Sequence, residues 1–145
     1  MRLVVFRLEK DRYALPLDAV REVIDAPAQF SRVPRSKPWV LGVMAHRGRV
    51  VPVVDLSSFL VEDTAPLPTP AQPAGGSKVV LLELSRRELG LLVTDVDGIS
   101  TIEKVGAQQK GSRVVRGLAR VGPLTVTVLD VEGLDAAVAA SIVNG

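Results

Sequence analysis

The chain repeats itself. Val4-Val5-Phe6-Arg7-Leu8 returns 76 residues later as Val80-Leu81-Leu82-Glu83-Leu84. At the same offset Lys10-Asp11-Arg12 meets Arg86-Arg87-Glu88, Leu15 meets Leu91, Leu17 meets Val93 and Val20 meets Val96. Further on the offset is 75: Gly42 meets Gly117, Val51 meets Val126, Val53 meets Val128 and Asp55 meets Asp130. Apolar strands match one another by chance. A Gly and an Asp 13 residues apart in both copies, each downstream of a charged turn, are harder to dismiss. The spacing therefore predicts two copies of one unit, at about residues 1–61 and 78–145.

Each copy reads as five short strands. In the first, Leu3–Leu8 and Tyr13–Leu17 form a hairpin across the polar turn Glu9-Lys10-Asp11-Arg12. Asp18–Ile24 is a short helical turn or a bent strand. Ser36, Pro38 and Trp39-Val40-Leu41 suggest an N-cap, a first-turn proline and one turn of helix. Gly42–Ala45 and Val50–Val54 are strands around the tight turn His46-Arg47-Gly48-Arg49, where Gly48 supplies a positive φ. In the second copy, strands are predicted at Val79–Leu84, Leu89–Thr94, Ser112–Leu118 and Leu124–Leu129, with Ser85-Arg86-Arg87-Glu88 as a charged turn. Residues 62–77 carry Pro66, Pro68, Pro70, Pro73 and Gly75-Gly76 and read as a connecting loop. Leu134, Val138 and Ile142 fall at helical spacing in a short C-terminal amphipathic helix.

With 145 residues the chain is one ordinary domain, or two very small subdomains sharing a core. Hydrophobic residues make up 47% and aromatics only 3%, and Val dominates, which favours buried strands. Five short strands curl rather than lie flat, because closure removes exposed edges. The fold class is thus all-β: two small five-stranded barrels packed together, with short helical turns and a C-terminal helix. The repeat does not decide whether the copies exchange strands. The chain contains no cysteine, which excludes disulfides and thiolate metal sites and fits a reducing compartment. The first apolar run breaks at Arg7, too early for a signal-peptide core, and no segment has the roughly 20 apolar residues of a membrane helix. A cytoplasmic protein without direct membrane insertion is expected.

At two points only the first copy carries an acid or a base. Glu22 corresponds to Gly98, and Arg47-Gly48 to Gly122-Pro123. Fold maintenance acts on both copies alike, so one-sided polar residues are candidates for partner contact. Glu22 and Arg47 are expected to lie together as an exposed ion pair of little value to stability, useful in recognition. Val20, His46 and Gly48 join them in the candidate partner-binding set.

At this point the sequence resembles the CheW-like domain family, the coupling proteins of bacterial chemotaxis. Three blocks carry the match: Tyr13-Ala-Leu-Pro-Leu-Asp-Ala-Val-Arg-Glu-Val-Ile24, Val40-Leu-Gly-Val-Met-Ala-His-Arg-Gly-Arg-Val-Val-Pro-Val-Val-Asp-Leu56, and Leu91-Leu-Val-Thr-Asp-Val-Asp-Gly-Ile99. The resemblance implies two SH3-like barrels. It also implies a scaffold that links the regulatory domain of a CheA-type histidine kinase to the cytoplasmic tip of a methyl-accepting chemoreceptor, with Glu22 and Arg47 on the coupling surface. The family usually has Asn-Leu-Arg-Gly where this chain has Ala45-His46-Arg47-Gly48, which raises the alternative of an accessory adaptor that keeps only one partner.

The remaining polar residues point to structure rather than chemistry. Asp55 and Asp130 each stand before a helical turn and are read as N-caps. His46 is the only histidine, so no metal site is expected. Ser57 and Ser58 lie near Asp55, but no nucleophile, base and orienting group assemble around them. Neither a P-loop nor a Gly-x-Ser-x-Gly elbow is present, which disfavours a hydrolase, and no cofactor or enzymatic activity is expected. Arg32, Arg35, Lys37 and Arg49 could form a basic patch for nucleic acid. A net charge of +2 and the scarcity of stacking aromatics argue against that partner. Gly48, Gly98 and Gly117 are assigned to turn geometry, Gly42 is a repeat landmark, and Trp39 is assigned to the core or the contact between barrels.

Overall fold

The computed structural model describes residues 1–34, 37–62, 77–84, 87–103, 105–106 and 114–142. Ten strands and two helices follow in order. They are β1 (Arg2–Leu8), β2 (Asp11–Pro16), a 3-10 turn (Leu17–Ala19), β3 (Val20–Asp25), β4 (Val40–His46), β5 (Arg49–Asp55), α1 (Leu56–Glu62), β6 (Lys78–Glu83), β7 (Glu88–Val93), β8 (Asp95–Thr101), β9 (Val115–Val121), β10 (Leu124–Leu129) and α2 (Val131–Ile142).

The strands form two five-stranded SH3-like barrels, but neither barrel is one half of the sequence. The first barrel has the order β8-β1-β2-β10-β9 and the second β3-β6-β7-β5-β4. Each takes its leading hairpin from one repeat copy and its other three strands from the opposite copy. The exchange is symmetric. β2 meets β10 in parallel at Tyr13 and Ala14, and β7 meets β5 in parallel at Gly90 to Leu92.

The exchange explains why the hairpin strands are apolar on both faces. Successive strand residues point to opposite sides. Leu3 and Val5 of β1 enter the core of the first barrel with Ala14, Val126 and Val128. Phe6 and Leu8 of the same strand enter a central core shared by both barrels. In β6, Val79 and Leu81 fill the second barrel while Val80 and Leu82 face the central core. The central core also takes Leu15, Leu89, Leu91, Leu129 and Leu134, all fully buried. Burying side chains of this size contributes about 1.5–3 kcal/mol each, so the central core, and not either barrel alone, holds the molecule together.

Repeat-equivalent positions make equivalent bonds. The Asp55 N–H donates to the Trp39 carbonyl and the Asp130 N–H to the Val114 carbonyl, both at 2.8 Å. Asp130 Oδ1 accepts from the Gly133 N–H at 3.0 Å, which caps α2. Asp55 accepts from the Ser58 hydroxyl at 2.7 Å at the start of α1. Burial pushes the Asp55 carboxyl above its usual pKa, and hydrogen bonds from Ser58 and Ser57 oppose that shift.

Three details depart from the sequence reading. Trp39-Val40-Leu41 is not a helical turn. One tight turn closes with the Val40 N–H on the Lys37 carbonyl, and Val40 then pairs with Val54 in β4. The ladder satisfies more of this segment's backbone than one isolated helical turn could. Trp39 itself packs edge-on against Phe59 in the central core, with ring centroids 6.0 Å apart. Asp95–Thr101 is a full strand, and β9 begins at Val115. Gly98 and Gly117 lie inside strands β8 and β9, not in turns. A β-carbon on Gly117 would stand 2.3 Å from the Gly106 carbonyl oxygen, and one on Gly42 would stand 2.2 Å from that of Ser31. Both glycines let a preceding segment lie against the strand. Ser36, Ser85, Arg86, Ser112, Val143 and nearly all of the loop at 62–77 lie outside the described residues.

Candidate functional site

The candidate site is built on the β4–β5 hairpin. Its turn is the two-residue pair Arg47-Gly48, with φ of 52° and 79°. Positive φ at both central residues is the type I′ geometry that matches the twist of paired strands. Gly48 meets that demand without strain. Arg47 adopts it as a non-glycine residue, a feature the sequence did not announce.

Glu22 comes to this turn from the far side of the sheet. β3 and β4 are the two edges of the second barrel's strand order. Nonetheless the Arg47 Nη2 donates to Glu22 Oε2 at 3.2 Å, and His46 Nε2 lies 3.2 Å from Glu22 Oε1. One carboxylate thus joins both edges and closes the barrel. The hydrogen bond from His46 is the main reason the Glu22 carboxyl sits below its usual pKa; partial desolvation opposes it, and the charges of Arg47 and Arg21 add to it. The Arg47 side chain stays 69% exposed while so held. The outer edge of β4 is covered by Ser31, which exchanges two backbone hydrogen bonds with Val43.

Of the other proposed members, Gly48 stands at the turn with open space around its α-carbon. Val20 faces away from Glu22. It packs, partly buried, against the central core, because a bulge at Arg21 separates its facing from that of Glu22. Gly98, the counterpart of Glu22, follows the equivalent bulge at Asp97 in β8, with φ of 137°. The first barrel therefore has no counterpart of the clasp. A cleft of about 620 Å³ in the first barrel is lined by Thr101, Leu118 and Arg120 among others, away from Gly98 and the Gly122-Pro123 turn.

Two features escaped the sequence. Val50, beside the turn, is 71% exposed, the largest exposure among the large apolar residues described. Arg49 is not part of a free basic patch, since it donates to Glu88. The signal for the second was present in the repeat, where Glu88 occupies the position of Arg12. Among the described residues no group of three or more His, Cys, Asp or Glu could hold a metal ion, and no helix is long and apolar enough to cross a membrane.

Comparison with known proteins agrees with the fold. The family model for the CheW-like domain matches residues 2–138. A probable chemotaxis protein CheW of Rhizobium etli is 31% identical over 101 residues, which are 69% of this chain and 60% of that protein. The protein PilI of Pseudomonas aeruginosa is 32% identical over 94 residues, 65% of this chain and 49% of that protein. The matched region thus spans only about half to three fifths of those two relatives. The crystal structure of the scaffolding protein TtCheW from Thermoanaerobacter tengcongensis superposes with a TM-score of 0.76 at 20% identity, covering 90% of this chain and 88% of that one. At that identity the likeness speaks for the fold.

Proposed function

The chain belongs to the CheW-like domain family, and from that premise we propose that it is a non-enzymatic adaptor of a bacterial chemosensory array. It couples the regulatory domain of a CheA-type histidine kinase to the cytoplasmic tip of a methyl-accepting chemoreceptor. The match of the family over residues 2–138 carries this reading. The site supports it. Arg47 presents a planar, permanently charged fork on a rigid turn, with its position fixed by Glu22. The exposed Val50 adds apolar surface beside it. A charged anchor next to apolar area is a common composition for a contact between proteins.

A second reading is favoured by one observation. His46 and Arg47 engage both oxygens of Glu22. Each donor takes one acceptor site, so a partner that needs that carboxylate has only the remaining lone pairs to bind, and a chain hindered there would keep one partner and lose the other. Separate pull-downs with the cognate kinase regulatory domain and with the receptor tip test both readings. Capture of both supports the coupling role. Capture of one selects the accessory adaptor, and capture of neither overturns the proposal.

A further inference from the structure

The ion pairs among the described residues include two rows, one across each barrel. In the first barrel Arg7 lies 3.1 Å from Asp95 and 3.5 Å from Asp97, and Arg12 also donates to Asp97. In the second, Arg21 lies 3.8 Å from Glu83 and 3.4 Å from Glu88, and Arg49 also donates to Glu88. Each row holds two cations and two carboxylates. Their origins are segregated: Arg7, Arg12, Arg21 and Arg49 all come from the first repeat copy, and Glu83, Glu88, Asp95 and Asp97 all come from the second. Equivalent positions carry opposite signs, as Arg7 against Glu83, Arg12 against Glu88 and Arg21 against Asp97.

We propose that this segregation is a pairing code: it makes each leading hairpin a partner for the other copy's three strands and disfavours a barrel built from one copy. Within β1–β2, Arg7 stands directly opposite Arg12. Within β6–β7, Glu83 stands directly opposite Glu88. Like charges so opposed destabilise a ladder unless the opposite charge lies beside them. The exchanged fold supplies it twice. A tandem fold would put four arginines in one row and four carboxylates in the other. Glu88, with its side chain only 11% exposed, tolerates that least.

Two other carboxylates do not discriminate. Asp25 accepts from Lys78, whose equivalent Arg2 has the same sign, so either hairpin satisfies it. Glu22 is already engaged by Arg47 and His46. Chain connectivity also acts, however. Only Leu17–Ala19 link β2 to β3. Thr94 alone links β7 to β8. In a tandem fold β3 would lie beyond β1 and β8 beyond β6, so each link would have to cross two strand spacings of ~4.8 Å, and the two steps through Thr94 reach only ~7 Å.

The test therefore relaxes both links. About six Gly/Ser residues are inserted after Asp18 and about six after Thr94 in the full chain, in two charge states: the natural one and R7E/R12E/E83R/E88R, which exchanges the hairpin charges. Cross-strand nuclear Overhauser contacts report the pairing. Val4 faces Ile99 in the exchanged fold and would face Val23 in a tandem one. The natural charges are expected to keep the Val4–Ile99 contact, and the exchanged hairpins to lose it and gain Val4–Val23. Adding R21E, R49E, D95R and D97R, so that all eight signs are reversed, is expected to restore Val4–Ile99. If the four-site variant does not fold, the eight-site variant decides: recovery of Val4–Ile99 supports the code and failure to recover overturns it. Retention of Val4–Ile99 by a folded four-site variant, or its loss with the natural charges, also overturns the code.

Discussion

Glu22 and Arg47 stand at opposite edges of one five-stranded sheet and are bonded at 3.2 Å. An ion pair read from the sequence as a recognition element is therefore also the clasp of a barrel. The two roles are compatible. A side chain held by a closing contact presents its free face in a fixed direction, which lowers the entropy lost when a partner binds.

Reversing either charge of the clasp separates the roles. Glu22→Arg and Arg47→Glu are each expected to weaken capture of kinase or receptor, and the double reversal to recover part of it. Chain stability should change little, because the pair is exposed. Normal binding by both single variants would show that the clasp only closes the barrel. The pH dependence has a fixed sign. Glu22 has a lowered folded pKa, so its contribution is present above its ordinary value of 4.5 and is lost as pH falls through the folded value below that. Binding and unfolding measured across that range check it.

Asp55 should behave in the opposite sense. Its folded pKa is raised above 3.8, chiefly by burial, so the stability linked to its titration is present below that value and is lost as pH rises through the folded pKa. Asp55→Asn keeps a capping side chain without the buried charge. It should match or exceed the natural chain at neutral pH, with the gap closing in acid. Asp55→Ala removes the cap and is expected to cost about 0.5–2 kcal/mol. Urea unfolding at both ends of the pH range distinguishes the two variants.

Glycine substitutions should rank by available space. Gly42 and Gly98 share a positive φ, of 136° and 137°. Gly98→Ala meets nothing within 4 Å and should lose only the backbone strain, about 1–3 kcal/mol. Gly42→Ala must in addition push the Ser31 carbonyl away and should lose clearly more. Thermal unfolding of the two variants, compared side by side, would reject this account if their losses were equal.

Truncation in the central core should destabilise both barrels at once. Phe6 is fully buried in the cluster that both barrels share. Phe6→Ala is expected to lower stability by about 3–5 kcal/mol. Because each barrel depends on a hairpin from the other copy, unfolding should remain one transition. Two resolved transitions in calorimetry would contradict the shared core.

The duplication, the all-β class, the helix caps and the β4–β5 hairpin were legible in the residues. Each rests on local chemistry or on a pattern that recurs at fixed spacing, such as Gly42 with Asp55 and Gly117 with Asp130. Even the apolar faces of β1 and β6 were visible as unbroken runs. Their reason was not, since a run such as Val79–Leu82 does not state which two surfaces it will fill. The exchange of hairpins, the turning of Val20 into the core and the meeting of Glu22 with His46 across the sheet edges were decided only by tertiary structure. All three depend on which strand lies next to which. Two copies with the same apolar pattern leave that choice degenerate, and it is resolved only when loop reach, like-charge repulsion and a common core act together in three dimensions.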